Sequence, residues 1–246
     1  MAVTVWRIER LESVGSTNTH LRAQAEAGAP EGRVVVADFQ SAGRGRYDRV
    51  WEAPPRSSLL CSVLLRPDLE ADQRQWAVAA VALSARAALV RLCGLRVGLK
   101  WPNDLVVDDE KLAGVLGESS ADGALVVGLG VNLTYDGPPQ GLATSVRRAA
   151  GVTLEPEALL DIVLEEVERR RPLLDDAAGR ARLREEYRRA LDTLGRRVRV
   201  EQALGTVEGE ARDVDAAGRL VVAAGDGEVA VAAGDVVHVR PAEDRR

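Results

Sequence analysis

Two lysines are the residues of this chain whose type and spacing point most directly to chemistry. The sequence holds 33 basic residues, yet only Lys100 and Lys111 are lysines. An ammonium is a compact point charge on a flexible stem, whereas a guanidinium is a broad planar fork. A chain that uses arginine everywhere else and keeps lysine at two nearby positions predicts a site where the fork does not fit.

A second cationic stretch, Gly43-Arg44-Gly45-Arg46, lies upstream. Glycines allow the backbone to approach a ligand closely, and arginines offer paired donors to phosphate or carboxylate oxygens. The stretch follows a strand but does not lead into a helix, so it is neither a dinucleotide-binding fingerprint nor a P-loop. Alone it is best interpreted as a solvated basic loop. Trp51, directly after it, is expected to present an exposed indole that can serve as a lid or stack on a purine.

Three further stretches carry polar groups or missing side chains at strand ends. Lys100–Asp104 contains a proline-fixed turn, and Gly114 and Gly117 leave space for a flat ligand against a strand. Gly128–Asn132 ends a strand with an amide that can meet a purine edge. Each has a simpler alternative: an Asx-turn, a β-bulge and a strand-end turn.

Composition bounds the class of protein. The 246 residues are 46% hydrophobic and carry a net charge of −5, which indicates a globular chain and disfavours a general nucleic-acid binder. Cys61 and Cys93 lie in apolar runs and are expected to be free thiols in a reducing compartment. We find no signal peptide and no apolar run of membrane-spanning length, so we expect a cytoplasmic protein without a membrane partner. His20 and His238 are too few to support a Ser-His-Asp triad or a zinc site.

Hydrophobic periodicity, caps and glycine stops place the elements that must position these residues. We expect a helix after Ser16, one over Ala71–Leu92, and helical structure over Pro156–Leu191 that is interrupted near Pro172. Strands are predicted at Val3–Glu9, Arg33–Phe39, Ser58–Leu65, Arg96–Leu99, Leu105–Val107, Lys111–Glu118 and Ala124–Leu133. Because strands and helices do not alternate strictly, this is an α+β fold with a mixed β-sheet and packed helices.

After Gly195 the chain consists of short strands separated by glycine turns, which predicts a small SH3-like β-barrel. The boundary falls near Leu194. We therefore divide the chain into a catalytic domain, residues 1–194, and a C-terminal β domain, residues 195–246.

The order and spacing of the motifs resemble the biotin–protein ligase family, over about residues 5 to 240. Lys-Trp-Pro-Asn-Asp is the most specific of them. The resemblance implies that ATP converts biotin to biotinyl-5′-AMP, and that a lysine of a biotin carboxyl carrier protein then receives the biotin. The winged-helix DNA-binding domain of bifunctional members has no counterpart, so no DNA partner is expected. Relatives include monomers and homodimers, and both states stay open.

The resemblance also implies roles for the cationic residues. Arg44 and Arg46 would fold over the adenylate, and Arg49 belongs to the same loop. Lys111 would lie between the biotin carboxylate and the α-phosphate, where a point charge can touch both. Lys100 would meet a phosphate or the departing pyrophosphate.

Asp104 has two alternative roles, which are to orient Mg²⁺ or to accept the proton of the incoming lysine. The Mg²⁺ would arrive with ATP and have no direct protein ligand set. The implied biotin-binding residues are Ser16, Thr17, Asn18, Gln40, Arg44, Gly45, Arg46, Lys111, Gly114 and Leu116. The implied ATP-binding residues are Arg44, Arg46, Arg49, Trp51, Lys100, Asn103, Lys111 and Asn132.

Asp48 departs from the family, which commonly has glycine there. A carboxylate among three arginines predicts an ion pair with Arg46 or Arg49 and a loop that is better ordered without ligand. Two other functions compete with biotin ligation. One is a lipoate ligase or octanoyltransferase of the same superfamily, and the other is a non-catalytic module that binds nucleic acid through the terminal barrel.

Overall fold

A seven-stranded mixed sheet forms the centre of the larger domain in the computed structural model, which describes residues 6–47, 49–138, 141–202, 205–225 and 227–238. Its order is β1-β2-β3-β7-β6-β5-β4, with β1 parallel to β2 and the other neighbours antiparallel. The strands are β1 (Arg7–Leu11), β2 (Arg33–Ala37), β3 (Ser58–Leu65), β4 (Gly98–Lys100), β5 (Asp104–Val107), β6 (Glu110–Ser119) and β7 (Leu125–Asn132). The α+β prediction is confirmed.

The helices begin and end where the sequence supplies caps. They are α1 (Thr17–Glu26), α2 (Gln75–Cys93), α3 (Val146–Ala150), α4 (Pro156–Arg170) and α5 (Ala177–Ala190). Ser16 caps the start of α1, and Gly94 ends α2 in the left-handed conformation that glycine adopts without strain. Pro172 lies in a 3₁₀ turn, Arg171–Leu174, that separates α4 from α5, as predicted.

The two faces of the sheet are covered by different helices. On β3, Leu59, Cys61 and Val63 belong to the large core that includes α2 and α4. Leu64 points to the other face and packs with Leu21 of α1 in a smaller core. The alternation of side chains along a strand therefore separates a helix-filled face from the face on which the N-terminus of α1 meets the sheet.

The helical region Ala71–Cys93 corrects one expectation. It is long and apolar enough to cross a membrane by length and composition, with a mean hydropathy of 1.6. Its side chains, including Trp76 and Leu89, are however buried against the sheet and α4. That burial identifies it as the core helix of the fold.

The boundaries of three predicted strands were wrong, and one of them, predicted at Arg96–Leu99, is β4 at Gly98–Lys100. Of the other two, the first begins at Arg7 instead of Val3, and residues 1–5 lie outside the described ranges. The second ends at Ala37, because Asp38 and Phe39 already belong to the long loop before β3. A tight turn at Asp108 and Asp109, both with positive φ, joins β5 to β6.

The C-terminal sheet is five-stranded and antiparallel, in the order β11-β10-β9-β8-β12. Its strands are β8 (Arg197–Gln202), β9 (Gly205–Val214), β10 (Leu220–Ala224), β11 (Gly227–Val231) and β12 (Asp235–His238). Its inward side chains, among them Val198 and Leu220, join the same core cluster as α2. Two buried indoles cross the junction, with Trp76 Nε1 donating to Ala216 O at 2.8 Å and Trp101 Nε1 donating to Gly218 O at 3.0 Å.

Candidate active site

A cavity of about 350 Å³ opens between the β6–β7 face of the sheet, the arginine-rich loop and the C-terminal domain. That volume is within the range of small-molecule sites. Fifteen of the sixteen sequence-predicted site residues line it, and Asn132 does not. The fifteen are Ser16, Thr17, Asn18, Gln40, Arg44, Gly45, Arg46, Arg49, Trp51, Lys100, Asn103, Asp104, Lys111, Gly114 and Leu116.

The arginine-rich loop is a small hairpin instead of an open loop. Arg44 and Val50 form a bridge, and the Trp51 amide donates to the Gly43 carbonyl at 3.0 Å. A side chain at Gly43 would collide with the Trp51 carbonyl. Gly43 is therefore required by the hairpin itself, which corrects the expectation that it serves ligand approach. The predicted role of Asp48 lies outside the described residues.

The first arginine of the hairpin, Arg44, is directed toward the sheet. Its guanidinium is paired with Glu118 of β6 at 3.0 Å. The Glu118 side chain is 14% exposed and also receives a bond from Asn18 Nδ2 at 2.8 Å. Arg44 thus contacts a carboxylate of the protein at the edge of the cavity.

The other two arginines reach the C-terminal domain. Arg46 Nη1 donates to the Gly234 carbonyl at 3.1 Å, and Arg49 forms an ion pair with Asp235. The tip of the hairpin is therefore attached to the turn that precedes β12. Both domains supply walls of the same cavity.

Trp51 covers the glycines of the sheet. A Cβ on Gly130 would lie 2.6 Å from Trp51 Cε2, and one on Gly114 would lie 3.0 Å from Cζ3. The expectation of an exposed indole was wrong, since Trp51 is half-buried and its Nε1 is buried without a partner in the described structure. The flat group that these glycines accommodate is the indole of the protein itself.

Lys111 stands beside that indole. Its Nζ lies 2.7 Å from Asp104 Oδ1 and 5.5 Å from the centre of a Trp51 ring. Asp104 Oδ1 is a buried atom, and the ammonium is its one described partner, in an ion pair instead of an aligned hydrogen bond. A compact cation fits between carboxylate and indole, consistent with the preference for lysine inferred from composition.

The Trp-Pro-Asn turn between β4 and β5 is fixed by its surroundings. The Pro102 carbonyl accepts from Gln75 Nε2 at 2.9 Å and from the Tyr187 hydroxyl at 3.1 Å. Asn103 Nδ2 donates to Val115 O at 2.8 Å. Burial raises the pKa of Tyr187 above its usual range, so this phenol stays a neutral donor. The turn holds Lys100 and Asp104 at its two ends, facing the cavity.

The polar floor of the cavity is formed by the first turn of α1. Thr17 N and Oγ1 both donate to Gln40 Oε1, at 2.7 and 3.0 Å. Asn18 is buried, and both protons of its amide are used, by Leu116 O at 3.1 Å and Glu118 at 2.8 Å. Thr17, Asn18 and Gln40 all line the cavity, but the amide protons of Asn18 are used within the protein.

Two sequence-predicted positions have other contacts. Asn132 is buried at the end of β7, and its Nδ2 donates to Thr144 O at 3.0 Å. Its adenine contact stays a prediction. A Cβ on Gly117 would meet Val78 of α2, so this glycine serves helix packing and not a ligand.

Sequence reasoning missed three residues, Ser62, Glu118 and Asp235. Ser62 is fully buried on β3, and its hydroxyl lies 2.6 Å from Asn18 Oδ1 and 2.7 Å from Thr17 Oγ1. Glu118 lies on the same face of β6 as Gly114, so strand alternation is a signal that would have found it. Nothing in the local sequence distinguishes Ser62 or Asp235.

Among the described residues there is no group of three or more His, Cys, Asp or Glu side chains that could hold a metal ion. Asp104 pairs with Lys111 and lies opposite Lys100 in the register of β4 and β5. One carboxylate together with nucleotide phosphates is a common way for proteins to hold Mg²⁺. The donor set thus fits an ion that arrives with its nucleotide.

Comparison with known proteins adds independent information. Residues 11–136 match the biotin/lipoate A/B protein ligase family, and residues 193–239 match the biotin protein ligase C-terminal domain. The biotin–[acetyl-CoA-carboxylase] ligase of Mycobacterium tuberculosis is 37% identical over 96% of this chain and 90% of its own length. That of Paracoccus denitrificans is 32% identical over 82% and 88%. The biotin protein ligase of Aquifex aeolicus, solved with biotin and ATP, superposes with a TM-score of 0.83 at 26% identity, over 96% of this chain and 99% of that one.

Proposed function

Because the chain belongs to the biotin/lipoate A/B protein ligase family and carries a biotin protein ligase C-terminal domain, we propose that it is an ATP-dependent biotin–protein ligase. It activates biotin as biotinyl-5′-AMP and transfers the biotinyl group to a lysine of an acceptor protein. The C-terminal match and the similar ligases favour biotin over a linear acyl acid.

One observation carries the proposal: the basic groups of three separate segments line a single cavity. They come from the arginine hairpin, the end of β4 and the start of β6, and they are Arg44, Arg46, Arg49, Lys100 and Lys111. Attack of a carboxylate on the α-phosphate of ATP brings two anions together and adds charge at phosphorus. Fixed cations at that point lower the barrier because they stabilise charge that develops in the transition state.

In the first step a carboxylate oxygen of biotin forms a bond to the α-phosphorus, and the bond to the pyrophosphate oxygen breaks. In this proposal Lys111 contacts both the carboxylate and the α-phosphate, which is supported by its position in the lining of the cavity, together with Lys100. The Trp51 indole covers Gly114 and Gly130 of the sheet beside them and excludes water there. Exclusion of water protects the mixed anhydride from hydrolysis.

In the second step the acceptor amine forms an amide with the biotinyl carbonyl, and AMP leaves with the electron pair of the broken C–O bond. The amine must lose a proton. In this proposal Asp104, whose carboxylate pairs with Lys111 at 2.7 Å, receives it. The same carboxylate would hold Mg²⁺ against the phosphates in the first step, where the ion supplies charge neutralisation.

The acceptor is proposed to be a biotin carboxyl carrier protein, because the similar ligases are named for acetyl-CoA carboxylase. A carboxylase of that kind and the ATP supply indicate the cytoplasm as the site of action. We propose that residues 1–194 form the catalytic domain and that residues 195–246 contribute its C-terminal wall.

The test is pyrophosphate release by the full chain with ATP, Mg²⁺ and biotin, run in parallel with lipoate and with octanoate. Of the three acids, we expect only biotin to cause pyrophosphate release. When an isolated carrier domain is then added, we expect the biotinyl group to be transferred to it. Release with lipoate or octanoate but not with biotin would assign the chain to the other branch of the superfamily. A chain that releases no pyrophosphate with any of the three acids would refute the proposed activity.

A further inference from the structure

Glu118 contacts two parts of the cavity, the polar floor at the first turn of α1 and the arginine hairpin. Its Oε2 accepts from Asn18 Nδ2 at 2.8 Å, and Oε1 is paired with Arg44 Nη1 at 3.0 Å and Arg22 Nη1 at 3.4 Å. With 14% of its side chain exposed, this carboxylate is largely withdrawn from water. A charged hydrogen bond in such surroundings is stronger than one on the open surface.

On one side of Glu118 lies the floor of the cavity. Asn18 is only 4% exposed. Its amide is held in one orientation by Glu118, Leu116 O and Ser62. A Cβ on Gly128 would collide with the Asn18 side chain, so the sheet is shaped to receive it. Asn18 in turn lies next to Thr17, whose hydroxyl shares the Ser62 contact.

On the other side lies the arginine hairpin. Arg44 opens the hairpin through its bridge to Val50, and Trp51 follows immediately. The position of Arg44 therefore influences where the indole lies over Gly114 and Gly130. Glu118 is the carboxylate that fixes the start of this hairpin to the sheet.

We propose that Glu118 is a positioning residue that couples the polar floor at Asn18 to the arginine hairpin at Arg44. The proposal deepens the proposed ligase function and rests on it for the identity of the ligands. A ligand seated on the floor then favours a closed hairpin, and a closed hairpin retains the acyl-adenylate. The coupling is carried by one side chain with two acceptor oxygens, each of which serves a different wall.

Glutamine at position 118 separates the two contacts. Its amide oxygen still accepts from Asn18 Nδ2, while its NH₂ group presents donors to the guanidinium of Arg44, which has donors only. Glu118→Gln therefore keeps the floor and removes the attachment of the hairpin.

The experiment compares wild type with Glu118→Gln and two matched controls. Glu110→Gln removes a carboxylate from the same strand, paired with Arg148 at 3.0 Å, and Arg22→Gln removes the other guanidinium beside Glu118. Two quantities are measured: the dissociation rate of biotinyl-5′-AMP, and the rate of tryptic cleavage at residues 44–49 without ligand. Circular dichroism and thermal melting verify the fold of each variant.

We expect Glu118→Gln to release the adenylate about tenfold faster, an effect between that of an exposed and that of a buried ion pair, and to be cleaved faster in the hairpin. Both controls should behave as wild type. In an Arg44→Gln background, which removes the contact from its more exposed end, Glu118→Gln should have no further effect on either rate. This background keeps the coupling testable if the single variant folds poorly.

Wild-type release and cleavage rates in Glu118→Gln, equal effects in Glu110→Gln or Arg22→Gln, or additive effects in the double variant would each overturn the inference. Failure of the ligase proposal is separate, because it would be visible as a wild-type chain that forms no adenylate. The cleavage measurement tests the attachment of the hairpin without any turnover.

Discussion

At the scale of single residues, the contrast between lysine and arginine has a geometric basis in the cavity. Lys111 lies 2.7 Å from Asp104 and above the Trp51 indole, in a space bounded by Gly114. The composition alone predicted that two lysines marked a site, because the chain uses arginine elsewhere. Composition could not predict the partner of either lysine, because Asp104 and Trp51 come from different segments.

Lys111→Arg is the direct test of this geometry. The charge is kept but the planar fork cannot occupy the same space, so we expect a folded protein whose adenylate formation falls by about a hundredfold. The measurement is pyrophosphate release with ATP and biotin. Arg91→Lys, the reverse exchange in an exposed pair with Glu165, is the control and should leave the rate unchanged. A near-wild-type rate in Lys111→Arg would contradict the role of the point charge.

His238 supplies a pH-dependent contribution to stability at the junction of the domains. Burial lowers its pKa below 6.5, and Lys100 and Arg196 act in the same direction, while Asp109 opposes them. Arg196 Nη1 lies 3.1 Å from Nδ1, which as an acceptor requires the neutral ring. Since the folded state disfavours the protonated form, stability is fully present above pH 6.5 and falls as the pH decreases below it.

We therefore expect the melting temperature of the wild type to decrease between pH 7.5 and pH 5.5, and that decrease to be smaller in His238→Gln. Asp109 is the carboxylate that faces the ring, and its own pKa is lowered from 3.8, so it titrates below this window. Thermal melts at both pH values measure the difference. An identical pH response in the variant would show that His238 is not the group responsible.

At the scale of elements, caps and turns were predictable because their signals are local. Ser16, Gly94 and the pair Asp108-Asp109 act within a few residues of their own positions. The glycines of the sheet were misinterpreted because their partners are remote. Trp51 covers Gly130 across 79 positions of sequence, and such a contact leaves no trace in the pattern of either segment.

The arginine hairpin gives a prediction at this scale. Asp235 holds Arg49, and the adjacent Gly234 carbonyl holds Arg46, so the tip of the hairpin depends on the C-terminal domain. In Asp235→Asn we expect the KM for ATP to rise several-fold, roughly the effect of one charged contact, with little change in melting temperature because the Arg49 side chain of the pair is largely exposed.

Steady-state kinetics with ATP as the varied substrate measure this effect. Glu210→Gln, which removes a carboxylate paired with Arg212 elsewhere in the same domain, is the control. An unchanged KM in Asp235→Asn, or an equal rise in Glu210→Gln, would show that the contact does not position the hairpin.

At the scale of the whole molecule, the two sheets share one core. Val198 and Leu220 of the C-terminal sheet pack in the same cluster as α2, and Trp76 and Trp101 donate across the junction. The short, glycine-separated strands that the sequence predicts after Gly195 do form a separate β-sheet. This pattern does not reveal the shared interior, because the two buried indoles lie more than a hundred residues from their acceptors.

We expect the full chain to unfold in one cooperative transition, detected alike by tryptophan fluorescence and by calorimetry. A chain that ends at Leu194 would expose Trp76 and Trp101 to water and should not hold a native fold at room temperature. Two resolved transitions in the full chain, or a well-folded truncated chain, would show that the domains are independent.

The confinement of both lysines to one cavity has a chemical consequence for the outer surface of the protein. Acyl-adenylates react with primary amines, and an enzyme that leaks one is exposed to its own reagent. Here the only lysine amines line the chamber, so apart from its amino terminus the chain offers an outer surface of guanidinium groups that do not take up acyl groups under these conditions. Prolonged incubation with ATP and biotin but no acceptor should leave its intact mass nearly unchanged, and variants with lysine in place of surface arginines should become labelled.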